Sequence, residues 1–267
     1  MLEIAICGAA GKMGLRLVDL IHADPALRIV AAIESNGHPK LGIDAGINAG
    51  IGPIDVLICD QAFARSQKPP AVLIDFSHPS GSEFAIEYCQ SNQVPLVLAT
   101  TGLEPETIHK IQAASQKIPL VWAPSMSLAV NLSMKLVEMA GQALKNQSTG
   151  VDVEIIERHH RFKADSPSGT ALKFGQIIAT AMGQTEHRHG RTGLVGARPQ
   201  TEIGYHAVRL GDNPGQHTIV FGMLGETIEL TVSASNRDCY AAGAIAAAKF
   251  VVNQPAGLYN MMDVLGI

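Results

Sequence analysis

The segment Leu2-Glu-Ile-Ala-Ile-Cys-Gly8-Ala-Ala-Gly11-Lys-Met-Gly14 opens the chain and decides its fold class. Leu2 to Cys7 is a short apolar strand, and apolar residues at helical spacing follow the glycines between Leu15 and Ile21. Strand, glycine turn and helix in this order are typical of a dinucleotide site, because the helix begins with free N–H groups that bind a pyrophosphate. We therefore predict that a dinucleotide-binding sheet begins at residue 2.

The glycine spacing departs from G-x-G-x-x-G, since the first glycine of that pattern falls on Ala9 and Gly8 stands one place earlier. A tight turn with a purely structural role is the alternative interpretation. The next predicted strand, Arg28–Ile33, ends at Glu34, about 20 residues after Gly14, where a carboxylate accepts hydrogen bonds from the adenosine ribose. The glycines and Glu34 together favour dinucleotide binding.

The residues after Glu34 bear on the choice of cofactor. Ser35 and Asn36 are neutral, whereas a 2′-phosphate usually calls for arginine at this point. Lys12 is the nearest alternative cation. We therefore expect NADH to be used at least as well as NADPH.

Alternating strands and helices continue to residue 123, which predicts a parallel sheet wound on both faces. Residues 37–53 are rich in Gly, Asn and Pro and are predicted to form a surface loop, followed by an edge strand at Val56–Cys59. Ligands of such sheets bind beyond the carboxyl ends of the strands. We expect these strand ends to converge: Gly8–Gly14, Glu34, Phe76-Ser77, Thr100–Gly102 and Pro124–Met126.

A second informative stretch is Glu154-Ile-Ile-Glu-Arg-His-His-Arg-Phe-Lys-Ala-Asp-Ser-Pro-Ser-Gly-Thr170. Five of the six residues from Arg158 to Lys163 are basic or imidazole side chains, although the chain has a formal charge of -4. A strand leads into this cluster, and a helix begins after Pro167 with Ser168, Gly169 and Thr170 in its first turn. Cations beside free helical N–H groups favour a ligand with two anionic groups, and a solvated basic turn before an ordinarily capped helix is the alternative.

The remaining segments predict a second, inserted α+β domain. Leu128–Leu144 has helical period, and Gly183–Gly204 is polar, either a mobile lid or a solvated loop. Three strand-like runs joined by short links then predict a largely antiparallel sheet, and an Ala-rich helix at Tyr240–Val252 returns to the first sheet. We expect a discontinuous dinucleotide-binding domain, 1–127 plus 236–267, and a substrate-binding and oligomerisation domain, 128–235.

Composition excludes several functional classes. Hydrophobic residues make up 46% and aromatic residues 4%, which predicts an aliphatic core, and no apolar run is long enough to span a membrane. The N-terminus has no signal-peptide pattern, and four scattered cysteines without a C-x-x-C pair indicate buried free thiols in a reducing cytosol. No basic tract indicates nucleic acid. We expect a cytoplasmic protein with no metal, nucleic-acid or membrane partner.

The chain resembles the 4-hydroxy-tetrahydrodipicolinate (dihydrodipicolinate) reductase family of the diaminopimelate route to lysine, over nearly its whole length. The resemblance rests on Gly8–Gly14, Ile74–Ser77, Thr100–Gly102, Glu154–Thr170, and Arg209–Asp212 with His217 and Gly225-Glu226. It implies a Rossmann-like doubly wound sheet with the inserted domain, a homotetramer, and reduction of a small dicarboxylate by NADH, NADPH or both.

The resemblance also implies site residues. His159 is similar to the family's proton donor, and Lys163 to its proposed acid or substrate cation. The residues that match substrate-carboxylate contacts are His160, Lys163, Ser168, Gly169 and Thr170. Those that match cofactor contacts are Gly8, Ala9, Ala10, Gly11, Lys12, Met13, Glu34, Ser35, Phe76, Ala99, Thr100, Thr101, Ala123, Pro124, Ser125 and Met126.

The chain differs from the family pattern at several positions. Ser35 stands where many members have Arg, Ala99 where Gly is usual, Ser125-Met126 where Asn-Phe is usual, and Val232 where a His is common. Two other functions stay open on the residues alone. A dehydrogenase for a different keto or imino acid would share the first domain, and a non-catalytic sensor would keep both binding sites without needing His159.

Overall fold

The computed structural model describes residues 1–267, which divide into two compact units, Met1–Leu128 with Arg237–Ile267, and Ala129–Asn236. The strands are β1 Leu2–Cys7, β2 Leu27–Glu34, β3 Ile58–Asp60, β4 Val72–Asp75, β5 Leu96–Leu98, β6 Pro119–Trp122, β7 Asp152–His159, β8 Glu186–His189, β9 Glu202–Arg209, β10 Gln216–Met223, β11 Glu226–Ser233 and β12 Gly257–Tyr259. The helices are α1 Lys12–Ala23, α2 Ala45–Ala49, α3 Gln61–Arg65, α4 Pro79–Asn92, α5 Pro105–Ser115, α6 Leu128–Leu144, α7 Gly169–Met182, α8 Asp238–Val251 and α9 Met261–Leu265.

The first unit is a parallel sheet of seven strands in the order β12-β6-β5-β4-β1-β2-β3. Its central strands are apolar on both faces, as parallel strands covered by helices must be. One apolar cluster packs the sheet against α1 and α8, and a second packs it against α4 and α5. The predicted α/β fold class with a doubly wound parallel sheet is confirmed.

The C-terminal segment completes this sheet. Helix α8 places alanines and Gly243 against the first sheet, and a Cβ on Gly243 would lie 1.7 Å from the Met126 carbonyl oxygen. Strand β12, which the sequence analysis did not predict, pairs with β6 through Gly257–Tyr259. Its three residues are too few to show a hydrophobic period.

Residues 37–53 are not the simple surface loop that composition predicted. They contain α2, whose N-cap Asp44 accepts hydrogen bonds from the N–H groups of Gly46, Ile47, Ile54 and Val56. The Asp44 side chain therefore organises a segment whose Gly and Asn content suggested irregular structure. Helix α3 was also missed, because five residues show no helical period.

The second unit has a five-stranded sheet in the order β11-β10-β7-β9-β8. The predicted largely antiparallel pairing is wrong for half of it, because β7 pairs with β9, and β9 with β8, in parallel. The short link between β9 and β10 passes over the end of β7 instead of forming a hairpin. The Leu210 N–H donates to the His159 carbonyl at 3.0 Å, and the Arg161 N–H donates to the Gly211 carbonyl at 3.1 Å.

Residues 183–204 are neither a free lid nor a wholly irregular loop. They contain β8, the edge strand that pairs with β9. Arg191 and Arg198 both donate to the Glu154 carboxylate on β7, at 2.6 Å and 3.0 Å, and His206 approaches that carboxylate at 2.8 Å. These ion pairs fix the segment to the sheet, a tertiary effect that local sequence does not reveal.

Two further expectations concern the cysteines and membrane-spanning segments. The four cysteines are free thiols, but only Cys7 and Cys89 are buried, whereas Cys59 and Cys239 are half-buried. No helix is both long enough and apolar enough to cross a membrane.

Candidate active site

The glycine turn of the first unit has a backbone that only glycine fits at its two ends. Gly8 has a φ of 83°, and an added Cβ would lie 2.6 Å from the Phe76 carbonyl oxygen. A Cβ on Gly14 would lie 2.2 Å from the Gly8 carbonyl oxygen. Gly8 therefore supplies the tight turn that the standard pattern assigns to its first glycine, and Ala9 is buried behind it.

Helix α1 begins at this turn with no side-chain cap on its first N–H groups. Free N–H groups and the helix dipole make this end suitable for a pyrophosphate. Glu34, at the end of β2, accepts a hydrogen bond from the Ala10 N–H at 2.8 Å, which fixes the carboxylate beside the turn. The residues present therefore fit a dinucleotide.

A cavity of about 630 Å³ adjoins the turn. Eight predicted cofactor contacts line it, namely Gly8, Ala10, Gly11, Lys12, Met13, Glu34, Ser35 and Phe76, together with His38, Gln61 and the start of α4. Thr100 does not line it, but its hydroxyl donates to Asp75 Oδ2 at 2.8 Å, and Asp75 also accepts from Ser77 and Ser82. The buried Asp75 carboxylate therefore joins the ends of β4 and β5.

The structure does not bring the other predicted contacts into this cavity. Ala99, Ala123 and Met126 have side chains packed in the core, so that only their backbone groups could meet a ligand. Thr101, Pro124 and Ser125 also lie outside the cavity lining.

In the second unit, His159 ends β7 with its ring nearly buried. Its Nδ1 lies 2.5 Å from Oε2 of Glu157, two residues earlier on the same face of the strand. Burial lowers the pKa of His159, the Glu157 carboxylate opposes that shift, and the charges of Lys163 and Arg209 add to it.

Glu157 is 1% exposed and also accepts two hydrogen bonds from Arg209, both at 2.7 Å. Its Oε1 accepts a fourth hydrogen bond, from the Ser168 N–H at 3.1 Å. Burial alone would raise the pKa of Glu157, but the hydrogen bonds from Arg209 and His159 outweigh it and hold the pKa below its usual value.

His217 on β10 packs against His159 and Ser168 in the buried part of the site. Its Nε2 lies 3.0 Å from the Ser168 hydroxyl, and its ring meets the His159 ring edge-on with centroids 5.1 Å apart. Burial lowers the pKa of His217 to about 4, so the ring is neutral near pH 7. The Ser168 hydroxyl also caps α7 by accepting from the Ala171 N–H at 3.2 Å.

Lys163 lies in the loop between β7 and α7, and its Nζ contacts Asp165 Oδ1 at 2.8 Å. The hydrogen bond from Lys163 holds the pKa of Asp165 below its usual value, and the Gly169 N–H contributes in the same direction. His160 is half-buried with an unpaired Nδ1, Gly169 is exposed and Thr170 is half-buried in the first turn of α7. The predicted substrate residues of this unit therefore lie around one short loop and helix start.

Sequence reasoning assigned no role to Glu157, Arg209 or His217. For Glu157 a signal was present, because residues at i and i+2 of a strand share a face, which places it beside His159. Arg209 and His217 stand among the residues that carry the family resemblance, but their place beside His159 could not be predicted, since β9 and β10 reach β7 only through the sheet order.

The first unit has a parallel sheet and a glycine turn that leads into an uncapped helix. The second unit is an α+β unit with an imidazole–carboxylate pair. Together these features define a dinucleotide-dependent oxidoreductase built from two units. Comparison with known proteins narrows this class. The chain belongs to the dihydrodipicolinate reductase family, whose N-terminal model matches residues 2–126 and whose C-terminal model matches residues 129–265. It is an NAD(P)H-dependent reductase of that family.

Named relatives support the family, and a solved structure supports the fold. The chain is 54% identical to a 4-hydroxy-tetrahydrodipicolinate reductase of Rhodopirellula baltica, covering 100% of this chain and 96% of the relative. It is 43% identical to one of Syntrophotalea carbinolica, covering 100% of each. Its fold matches a dipicolinate-bound dihydrodipicolinate reductase of Paenisporosarcina sp. TG-14 with a TM-score of 0.77, at 24% identity over 98% of both chains.

Proposed function

We propose that the chain reduces 4-hydroxy-tetrahydrodipicolinate to tetrahydrodipicolinate in the diaminopimelate route to lysine. The substrate is a cyclic dicarboxylate, and the second unit is proposed to bind it. The observation that carries this proposal is the position of the Asp165 carboxylate, which bonds to Lys163 Nζ and is stabilised by the Gly169 N–H. A carboxylate is therefore the group that this loop accommodates, and a substrate carboxylate is proposed to take the same place.

The proposed chemistry assigns one task to each group. Loss of the 4-hydroxyl group as water would leave a conjugated imine, and a bound reduced nicotinamide would supply a hydride to ring carbon C4 of that imine. His159 donates the proton that the resulting enamine needs, from Nε2, because Nδ1 faces Glu157. Lys163 stabilises the developing negative charge and one carboxylate, while His160, Ser168, Gly169 and Thr170 orient the dicarboxylate.

The cofactor is proposed to lie along the glycine turn. The N–H groups of Lys12 and Met13 would hold the pyrophosphate, and Glu34 with Ser35 would face the adenosine ribose. Ala99–Thr101 and Ala123–Met126 stay proposed contacts for the remainder of the cofactor. Both NADH and NADPH are proposed to serve as the hydride donor.

We further propose that the second unit assembles four chains into a homotetramer. The face of its sheet away from α7 carries Ile156, Val208 and Val220 alongside polar residues such as Glu154 and His206, and Val208 is 39% exposed. An open sheet face that mixes exposed apolar and polar side chains is suited to contacts between chains.

The activity test is substrate-dependent loss of reduced-nicotinamide absorbance with freshly generated 4-hydroxy-tetrahydrodipicolinate. We expect saturable turnover and competitive inhibition by pyridine-2,6-dicarboxylate. No turnover with either nucleotide would overturn the proposal. Turnover of an open-chain keto or imino acid in place of the ring substrate would assign the chain to a different dehydrogenase.

A further inference from the structure

Glu157 is a carboxylate with no access to solvent and no room for a ligand. Its two oxygens meet Arg209 twice, the Ser168 N–H once and His159 Nδ1 once. These four contacts use the acceptor capacity of an ionised carboxylate. Glu157 can therefore act only through the groups it holds.

The first of these groups is the imidazole of His159. A carboxylate on Nδ1 fixes the ring orientation and requires a proton on that nitrogen, so Nε2 is the atom left for exchange with a ligand. Near Nε2 lies Gly215, where an added Cβ would be 3.0 Å away. The absence of a side chain at Gly215 keeps the approach to Nε2 open.

The second group is the start of α7. The Ser168 N–H bonds to the same carboxylate, and Ser168 caps the helix whose first turn contains Gly169 and Thr170. Glu157 therefore links the proton donor and the carboxylate-binding turn through one rigid group.

Arg209 fixes Glu157 in turn. Its Nη2 donates both to Glu157 and to the Asp165 carbonyl, each at 2.7 Å, so the guanidinium also restrains the loop that contains Lys163. The charged and titratable groups that face His159 are Glu157 from β7, Arg209 from β9, His217 from β10 and Lys163 from the loop. Glu157 is the one anion among them, and it lies against the ring.

We propose that Glu157 is a positioning residue for the reductase reaction, which holds His159 in the orientation and protonation state needed for proton donation and aligns it with the Ser168 turn. This inference rests on the proposed role of His159. Replacing Glu157 removes the one negative charge beside the imidazole, so protonated His159 becomes scarcer at a given pH. Replacing Arg209 removes a positive charge and has the opposite effect.

The test compares Glu157→Gln and Arg209→Gln by the pH dependence of kcat. Activity of a protonated donor falls as pH rises through its pKa, and we expect this falling limb to move to lower pH in Glu157→Gln and to higher pH in Arg209→Gln. At pH 7.5 the loss of kcat in Glu157→Gln should be on the order of tenfold to a hundredfold, and smaller at low pH. A purely structural Glu157 would lower kcat at all pH values without moving the limb.

Glu154→Gln is the matched control, because Glu154 lies on the opposite face of the same strand within another ion-pair cluster. The falling limb of the pH dependence of kcat should stay at the wild-type pH in Glu154→Gln. If Glu157→Gln does not fold, the opposite shift in Arg209→Gln still tests the inference, and no shift there overturns it.

An NMR titration of the His159 ring, assigned by its loss in His159→Gln, separates the two proposals. A His159 pKa unchanged by Glu157→Gln overturns the inference while the reductase function stands. A His159 pKa that is lower in Glu157→Gln than in wild type, in a wild-type chain that shows no turnover, overturns the reductase function and leaves only the coupling between Glu157 and His159.

Discussion

Two carboxylates of the second unit show how exposure decides what a residue does. Glu157 is 1% exposed, and its hydrogen-bond partners all belong to the same unit. The Asp165 side chain is 57% exposed, and its partner Lys163 is proposed to bind substrate. The buried acid is therefore held by the protein on all sides, whereas the exposed one is proposed to compete with the ligand for Lys163.

The proposed proton donor gives the first prediction. We expect His159→Gln to lower kcat by about 100- to 10,000-fold with little change in KM, because it removes the acid but leaves the carboxylate contacts. Lys163→Ala, in comparison, should lower kcat and raise KM, since Lys163 is proposed to act in both binding and charge stabilisation. Steady-state kinetics of both variants would measure the difference, and near-normal turnover in both would refute the assignment.

Asp165 gives the second prediction. We expect Asp165→Asn to lower the Kd for pyridine-2,6-dicarboxylate several-fold, because Lys163 loses its competing anion, and a surface ion pair of about 0.2–1 kcal/mol sets the scale. Isothermal calorimetry with the NADH-loaded protein would measure it. Asp212→Asn, which removes an exposed acid for which no ion pair is found, is the control. A weaker affinity in Asp165→Asn would show that Asp165 orients Lys163 for the ligand.

At the scale of elements, the hydrophobic period of the sequence predicted the helix ends, which depend on nearby residues. The ends of α6 at Leu128 and Leu144 and the helix start at Ser168 follow from the apolar spacing and the capping residue. The pairing of β7 with β9 did not follow, because sheet order depends on contacts between residues about 50 positions apart, such as Ile155 with Tyr205. The candidate site divides in the same way, since His159 and Lys163 stand in a motif and Arg209 reaches them only through the sheet.

The residues at the end of β2 give the third prediction, which concerns the choice between NADH and NADPH. With Glu34 followed by Ser35, the wild-type kcat/KM for NADH should equal or exceed that for NADPH. Ser35→Arg should raise kcat/KM for NADPH roughly tenfold or more, the effect of a charged hydrogen bond of about 1.5–3 kcal/mol. Ser35→Gln is the uncharged control. A wild-type preference for NADPH would instead indicate that Lys12 binds the 2′-phosphate.

The packing of α8 gives a fourth prediction, on stability. Gly243→Ala should destabilise the chain by about 1–3 kcal/mol, because its Cβ would lie 1.7 Å from a backbone carbonyl that cannot move alone. Gly141→Ala in α6 is the control, since its nearest neighbours are side-chain atoms at 3.2 Å, and alanine's helix propensity offsets part of any strain. Denaturant unfolding would compare them. Equal midpoints would show that α8 shifts freely.

At the scale of the whole molecule, the open sheet face predicts assembly. We expect four chains per particle by light scattering, and a smaller particle for Val208→Lys, because a charge that replaces this exposed apolar side chain opposes its burial between chains. Leu172→Lys, at an α7 residue that is 44% exposed, is the control and should leave the mass unchanged. An intact tetramer in Val208→Lys would place the interface elsewhere.

The position of α8 and β12 at the far end of the chain has a consequence for biosynthesis. The glycine turn is made before the rest of the sheet, which lacks its last strand and one covering helix until residues 238–259 have been made. The inserted unit, 129–236, is complete before then. During translation the middle of the chain can therefore mature first, while the earlier strands keep the part of their apolar face that α8 will cover exposed to solvent.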